Sequence, residues 1–284
     1  MITDKETNFV YISDRLEAQC PSVYAQLKHW FEKLGIKYAT LPGTKDLWIV
    51  DFMPLQIDEF NFLQFTYDPD YLKPKKYQDV RTDPKGILNG IGVVPKRIDF
   101  VLDGGNIVKG KDKAIATTKI FKENPDYAEF DLICEIKCSL DIEQLIIIPQ
   151  EPGDYIGHAD GMVRFVDENM VIVNQYPKNK IYEDFAYNLW SALRNAGLHC
   201  IDFPYTSWQN DNADDATGCY INFLEIGHYI FYPIFNNDND QLALEQLKKA
   251  FMNREFIPIN CCDLAKFGGV LNCATWNIFK DQVE

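Results

Sequence analysis

Along the chain, stretches with apolar residues every three or four positions alternate with shorter, nearly continuous apolar runs. Residues 22–34 set Val23, Leu27, Trp30, Phe31 and Leu34 on one helical face, with Ser22 as the cap and Gly35 as the stop. Residues 183–196 carry Phe185, Leu189, Leu193 and Ala196 ahead of Gly197, and residues 240–252 carry Leu244, Leu247 and Phe251, which predicts two further helices. Each helix is followed at once by an extended run: IKYATLP, LHCIDFP and EFIPINC. Paired apolar runs predict hairpins at 104–118, turning over 109–113, at 161–176, turning over 167–169, and at 220–235, turning near Gly227. DLWIVDFMPLQ and FNFLQFTY within 46–67, and GGVLNCATWNIF at 268–279, are the corresponding runs of the first and last units.

Polar residues open these strands at Asp51, Asp103, Asp160, Asn222 and Cys273, with gaps of 52, 57, 62 and 51 residues. A near-constant period of this size predicts a closed ring of repeated mixed α/β units. In such a ring the same end of each inner strand faces the axis, so five residues far apart in sequence converge on one pocket. The competing reading is that ordinary α/β architecture spaces polar strand ends this way by coincidence.

Length and composition narrow the picture. The 284 residues can bury one large core, and one domain over 1–284 is the simplest reading. No run of 18 apolar residues predicts a membrane span, and MITDKETNF lacks the basic and apolar regions of an export signal, which points to the cytoplasm. A net charge of −14 argues against nucleic-acid binding and suits a small cationic substrate. The eight cysteines form no CxxC pair and read as reduced thiols, and Cys134 with Cys138 lacks the partners a zinc site needs. His29, His199 and His228 have no matching partner and read as structural or surface residues. NGIGVV (89–94) is a fragment of a dinucleotide fingerprint, and DNADDATG (211–218) lacks the spacing of a calcium loop and reads as a solvated acidic loop. The one basic cluster, LKPKKYQDVR (72–81), reads as a solvated loop.

One thiol, one imidazole, several carboxylates and an amide in one pocket make an unusual set. Carboxylates beside a thiol raise its pKa, which is a poor arrangement for attack on an amide. A planar guanidinium reverses that argument. Its fork of N–H donors suits paired carboxylates, and its charge offsets theirs and favours the thiolate. The residues therefore suggest attack by Cys273 on a guanidinium carbon, with His158 moving protons. His158 and Asp160, two residues apart at the head of a strand, would share one face.

LWIVDFMP, LDGGNIV, IGHADGMVRF, YINF and GGVLNC occur in that order from about residue 40 to residue 277. They resemble the successive motifs of the guanidino-group-modifying enzymes, five-bladed α/β propellers called penteins. The closest branch is that of agmatine deiminases and bacterial peptidylarginine deiminases. The resemblance implies Cys273 as nucleophile, His158 as general acid and base, and Asp160 and Asp51 as the carboxylates that grip the guanidinium. It implies Trp48, Tyr155 and Ile156 as substrate-lining positions, Asn222 as a pocket residue, and Asp103 with Gly104, Gly105 and Asn106 as an element shaping the site. Arg164 reads as a structural counter-ion of a site carboxylate. No metal or organic cofactor is required. The expected substrate is a small cationic guanidino compound or an arginine-containing peptide, and the product a ureido compound plus ammonia. An amidinotransferase with the same covalent intermediate, and a non-catalytic binder of a cationic ligand, are the alternatives. The chain departs from the pattern at Val50, where many relatives have Arg. It departs again at Asn272, where agmatine deiminases carry His, and it lacks their Trp-Gly element. Nothing in the sequence speaks to the oligomeric state.

Overall fold

The computed structural model describes residues 1–281. Fifteen strands form five three-stranded sheets built to one plan. The sheets comprise β1 (Phe9–Ser13) and β2 (Lys37–Leu41) with β15 (Thr275–Ile278); β3 (Leu55–Gln56), β4 (Phe62–Thr66) and β5 (Lys96–Val101); β6 (Val108–Lys109), β7 (Lys113–Thr117) and β8 (Gln144–Ile148). The other two are β9 (Val163–Phe165), β10 (Met170–Asn174) and β11 (His199–Phe203), and β12 (Leu224–Ile226), β13 (Tyr229–Ile234) and β14 (Glu255–Asn260). In every sheet the central strand runs antiparallel to a short strand on one side and parallel to a third strand on the other. The parallel partner is reached through a crossover that carries helix, as a parallel pair requires.

Sequence explains each layer. The central strands are buried runs such as MVIVN in β10, covered on both faces, whereas β2 and β11 are exposed or half-buried over most of their length. The crossover helices bury residues at four-residue steps: Val23, Leu27 and Phe31 in Pro21–Leu34, Leu132, Ile136 and Leu140 in Glu129–Leu140, and Phe185, Leu189 and Leu193 in Glu183–Asn195. Each such Leu or Phe contributes about 1.5–3 kcal/mol of burial free energy. The ring shuts where β15 pairs with β1, Trp276 opposite Tyr11 with their rings stacked at 5.2 Å. None of the helices among the described residues is long and apolar enough to cross a membrane.

The three helices read from the sequence are present, the third as Asn239–Ala250, and the hairpin turns fall where expected. Pro84–Gly90 and Glu129–Leu140 complete the other two crossovers. Ser22 is not a cap: the first helix begins at Pro21, whose missing N–H costs nothing at that position. Nor do the five polar residues lie in strands. Each sits in the turn that feeds its unit's first strand. Asp51 lies in the helical turn Ile49–Phe52, Asp103 precedes the 3-10 turn Gly104–Asn106, and Asp160 is inside the turn Ala159–Gly161. Asn222 and Cys273 come two residues ahead of β12 and β15. His158 and Asp160 are thus neighbours on a 3-10 turn rather than on one face of a strand, because β9 starts only at Val163.

Candidate active site

The five turns meet on the ring axis. His158 lies between two carboxylates, Nδ1 at 3.4 Å from Asp51 Oδ1 and Nε2 at 2.9 Å from Asp103 Oδ2. Tyr71 donates its hydroxyl to the same Asp103 oxygen at 2.7 Å and meets the His158 ring edge-on. Across the axis, Asp160 Oδ2 accepts from Asn272 Nδ2 at 2.7 Å, Asn222 Nδ2 at 3.1 Å and Cys273 Sγ at 3.4 Å. The Asn222 amide also donates to Cys273 Sγ at 3.1 Å and accepts from the Cys273 backbone N–H at 3.2 Å.

The glycines of the GGN turn make this approach possible. A Cβ on Gly105 would lie 2.5 Å from Asp51 Oδ1 and 2.7 Å from His158 Nδ1, and one on Gly104 would strike the Val50 carbonyl. Gly105 instead donates its N–H to Asp51 Oδ1 at 3.2 Å. Gly269 leaves room for Trp48 in the same way, since a Cβ there would lie 2.7 Å from the indole.

Burial and charge oppose each other in this cluster. Burial works to lower the His158 pKa, but Asp51 and the hydrogen bond to Asp103 overcome it and push it up to about 10. Burial holds the Asp51 carboxyl well above the usual carboxylate range; His158 pulls it back, and Asp103 and Asp160 add to the rise. The Cys273 thiol is driven well above its ordinary value by burial first, then by Asp160 and Asp51. The resting site therefore pairs a protonated imidazole with a protonated thiol.

His158, Asp160, Asn222 and Cys273 line a cleft of about 320 Å³. Its outer walls carry Glu151, Asp154, Asp211 and Asp215, and no Lys or Arg is among the lining residues. Glu151 is buried and accepts from Tyr176 and Tyr205 at 2.9 and 2.8 Å, and burial pushes its pKa up to about 7. Ile156 lines the cleft as expected. Tyr155 stands at the rim, half exposed, with its hydroxyl 2.5 Å from Asp214. Trp48 packs behind Gly269, and Asp103 faces His158 rather than the opening. The 211–218 segment is therefore a wall of the cleft and not merely a solvated loop. Arg164 is ion-paired to Asp4, not to a site carboxylate, and reaches Asp160 only through Asn272.

Sequence reasoning missed Tyr71, which no motif marks, and Lys119. Lys119 is a buried cation whose Nζ holds the Tyr155 carbonyl at 3.0 Å and Asp70 at 2.6 Å. Most of 72–81 is solvated as expected. His29, His199 and His228 are all exposed, and no group of side chains among the described residues is arranged to hold a metal.

Comparison with known proteins places this geometry. The family model of Porphyromonas-type peptidyl-arginine deiminases matches residues 1–278. A provisionally named agmatine deiminase of Streptococcus mutans is 24% identical over 243 residues, 75% of this chain and 63% of its own length. One from Lactococcus lactis is 25% identical over 207 residues, 62% of this chain and 57% of its own. The chain thus spans under two thirds of the length of these curated relatives. Among solved structures, an agmatine deiminase of C. jejuni, a Cys-to-Ser variant with substrate bound, superposes with a TM-score of 0.78 at 18% identity, covering 98% of this chain and 96% of that one. The fold is the five-bladed α/β propeller, the pentein fold.

Proposed function

The chain belongs to the Porphyromonas-type peptidyl-arginine deiminase family, and from that premise we propose that it is a guanidino-group hydrolase. On this reading residues 1–284 form one catalytic domain, acting in the cytoplasm on a small cationic guanidine. The observation that carries it is one cleft in which a thiol shares a carboxylate oxygen with two amides while an imidazole stands between two further carboxylates.

Asp160 Oδ1 and Asp51 Oδ2, neither with a hydrogen-bond partner among the described residues, would accept from the guanidinium nitrogens. The bound cation offsets the two carboxylates that hold the thiol protonated, so its proton leaves to solvent and Cys273 attacks the guanidinium carbon. His158, charged at neutral pH, gives its proton to the departing nitrogen. The carbon–nitrogen bond breaks, ammonia leaves, and the carbon stays on sulfur as a thiouronium. Water then passes one proton to the neutral His158 and attacks the same carbon. The carbon–sulfur bond breaks, the remaining hydroxyl proton goes to sulfur, and a ureido product departs. Asp103, held by Tyr71, keeps His158 oriented through both steps.

The acidic walls favour a guanidine with a second positive charge, such as agmatine, over free arginine, whose carboxylate would meet Glu151, Asp154, Asp211 and Asp215 with no cation among the lining residues. Ammonia release from agmatine, free arginine and an internal peptidyl arginine provides the test. Agmatine should be the preferred substrate, and Cys273→Ala should fall below about a thousandth of the wild-type rate. A wild type that binds a guanidine yet releases no ammonia from any of the three would overturn the hydrolase reading.

A further inference from the structure

Behind Asp160 runs a second chain of contacts that leads away from the cleft to the N-terminal turn. Asn272 Oδ1 accepts from Arg164 Nη1 at 2.7 Å while its Nδ2 donates to Asp160. The reverse orientation of this amide would set donor against donor and acceptor against acceptor, so the two neighbours fix it. Arg164, 4% exposed, also donates to the Phe223 carbonyl at 3.2 Å, lies over the Phe223 ring at 4.7 Å, and pairs through Nη2 with Asp4 at 2.7 Å. Asp4 is held again by Lys109 at 2.6 Å. Asp4 belongs to the turn Asp4–Glu6, where Glu6 accepts from the Thr3 N–H and hydroxyl at 2.9 and 2.7 Å.

Arg164 is itself a guanidinium. Placed one amide nearer, it would take the carboxylate that the substrate's guanidinium needs. We propose that Asn272 is a positioning residue that keeps Arg164 one amide away from Asp160, so that Asp160 Oδ2 is saturated by neutral amides and the thiol while Oδ1 stays open for the substrate. Asp4 holds Arg164 back from the other side, which makes the N-terminal turn part of substrate recognition. Without Asn272, Arg164 becomes an internal competitor for Asp160.

This inference rests on the guanidine-hydrolase reading and is tested within it, with agmatine as the probe. Asn272→Ala should raise KM about tenfold or more, since the Arg164 guanidinium can then make a charge-assisted hydrogen bond to Asp160 that the substrate must displace, with a smaller fall in kcat. Adding Arg164→Met to Asn272→Ala should bring KM back down. A merely structural role gives the opposite, a double variant worse than either single one. Asp4→Asn should also raise KM while lowering the melting temperature, because it unpairs the buried Arg164, and its KM keeps the question answerable if Asn272→Ala does not fold. Binding of agmatine to each variant in a Cys273→Ala background reads the same competition without turnover. An unchanged KM in folded Asn272→Ala or in Asp4→Asn, or no recovery in the double variant, overturns the proposal. A wild type that neither hydrolyses nor binds agmatine defeats the functional reading itself, and this inference with it.

Discussion

At the scale of single residues, Asp160 has two effects of opposite sign. It helps hold the Cys273 proton in place, yet it is also a proposed grip for the substrate. Asp160→Asn should therefore make the resting thiol more reactive while abolishing turnover. Alkylation of Cys273 by iodoacetamide, followed against pH, should show an apparent pKa above the ordinary thiol range in the wild type. The variant's should be lower by about one pH unit or more. An unshifted profile would remove Asp160 as a cause. His158 gives a second pH signature. Its folded-state pKa of about 10 lies above the ordinary 6.5, so the stability it contributes is complete below pH 6.5 and is lost as pH rises through 10. The gap in urea midpoint between wild type and His158→Asn should narrow across that window. His158, Asp160 and Cys273 were legible because their motifs carry chemistry that few other roles need. Tyr71 and Glu151 were not, since a phenol and a carboxyl in loops look alike whether buried on a catalytic partner or solvated.

The turns, not the strands, carry the candidate site residues. The sequence's period was legible because every unit repeats hairpin, helix and strand. The offset of a few residues that moves a polar residue from a strand to the turn before it was not legible. Strand alternation and a 3-10 turn both bring residues two apart close together, and local pattern does not separate them. The GGN turn tests this assignment. Gly105→Ala should cut kcat/KM by about a hundredfold or more, because a methyl group 2.5 Å from Asp51 Oδ1 drives Asp51 and His158 apart. Gly197→Ala, at a positive φ with nothing within 4 Å and outside the cleft lining, serves as the control, destabilising the fold slightly and leaving that ratio near the wild type's.

For the whole molecule, the period pointed to a closed ring and the net charge to a small cationic substrate. The closure between β1 and β15 was hidden, because the partners lie at opposite ends of the sequence and neither names the other. Trp276 ties that closure, stacked on Tyr11 and donating its indole N–H to the Pro54 carbonyl at 2.8 Å. Trp276→Ala should cost about 3–5 kcal/mol in urea denaturation. Hydrogen exchange should then speed up first in β1 and β15, and uniform acceleration across the five sheets would contradict a local clasp. The same closure orders events during synthesis. Translation delivers β1 first and β15 last, so β1 waits with one edge unpaired while thirteen strands appear. Cys273 sits two residues before β15 and reaches Asn222 and Asp160 only as that final strand docks. On the proposed mechanism a nascent chain thus has no assembled nucleophile, and catalytic competence and completion of the ring become one event.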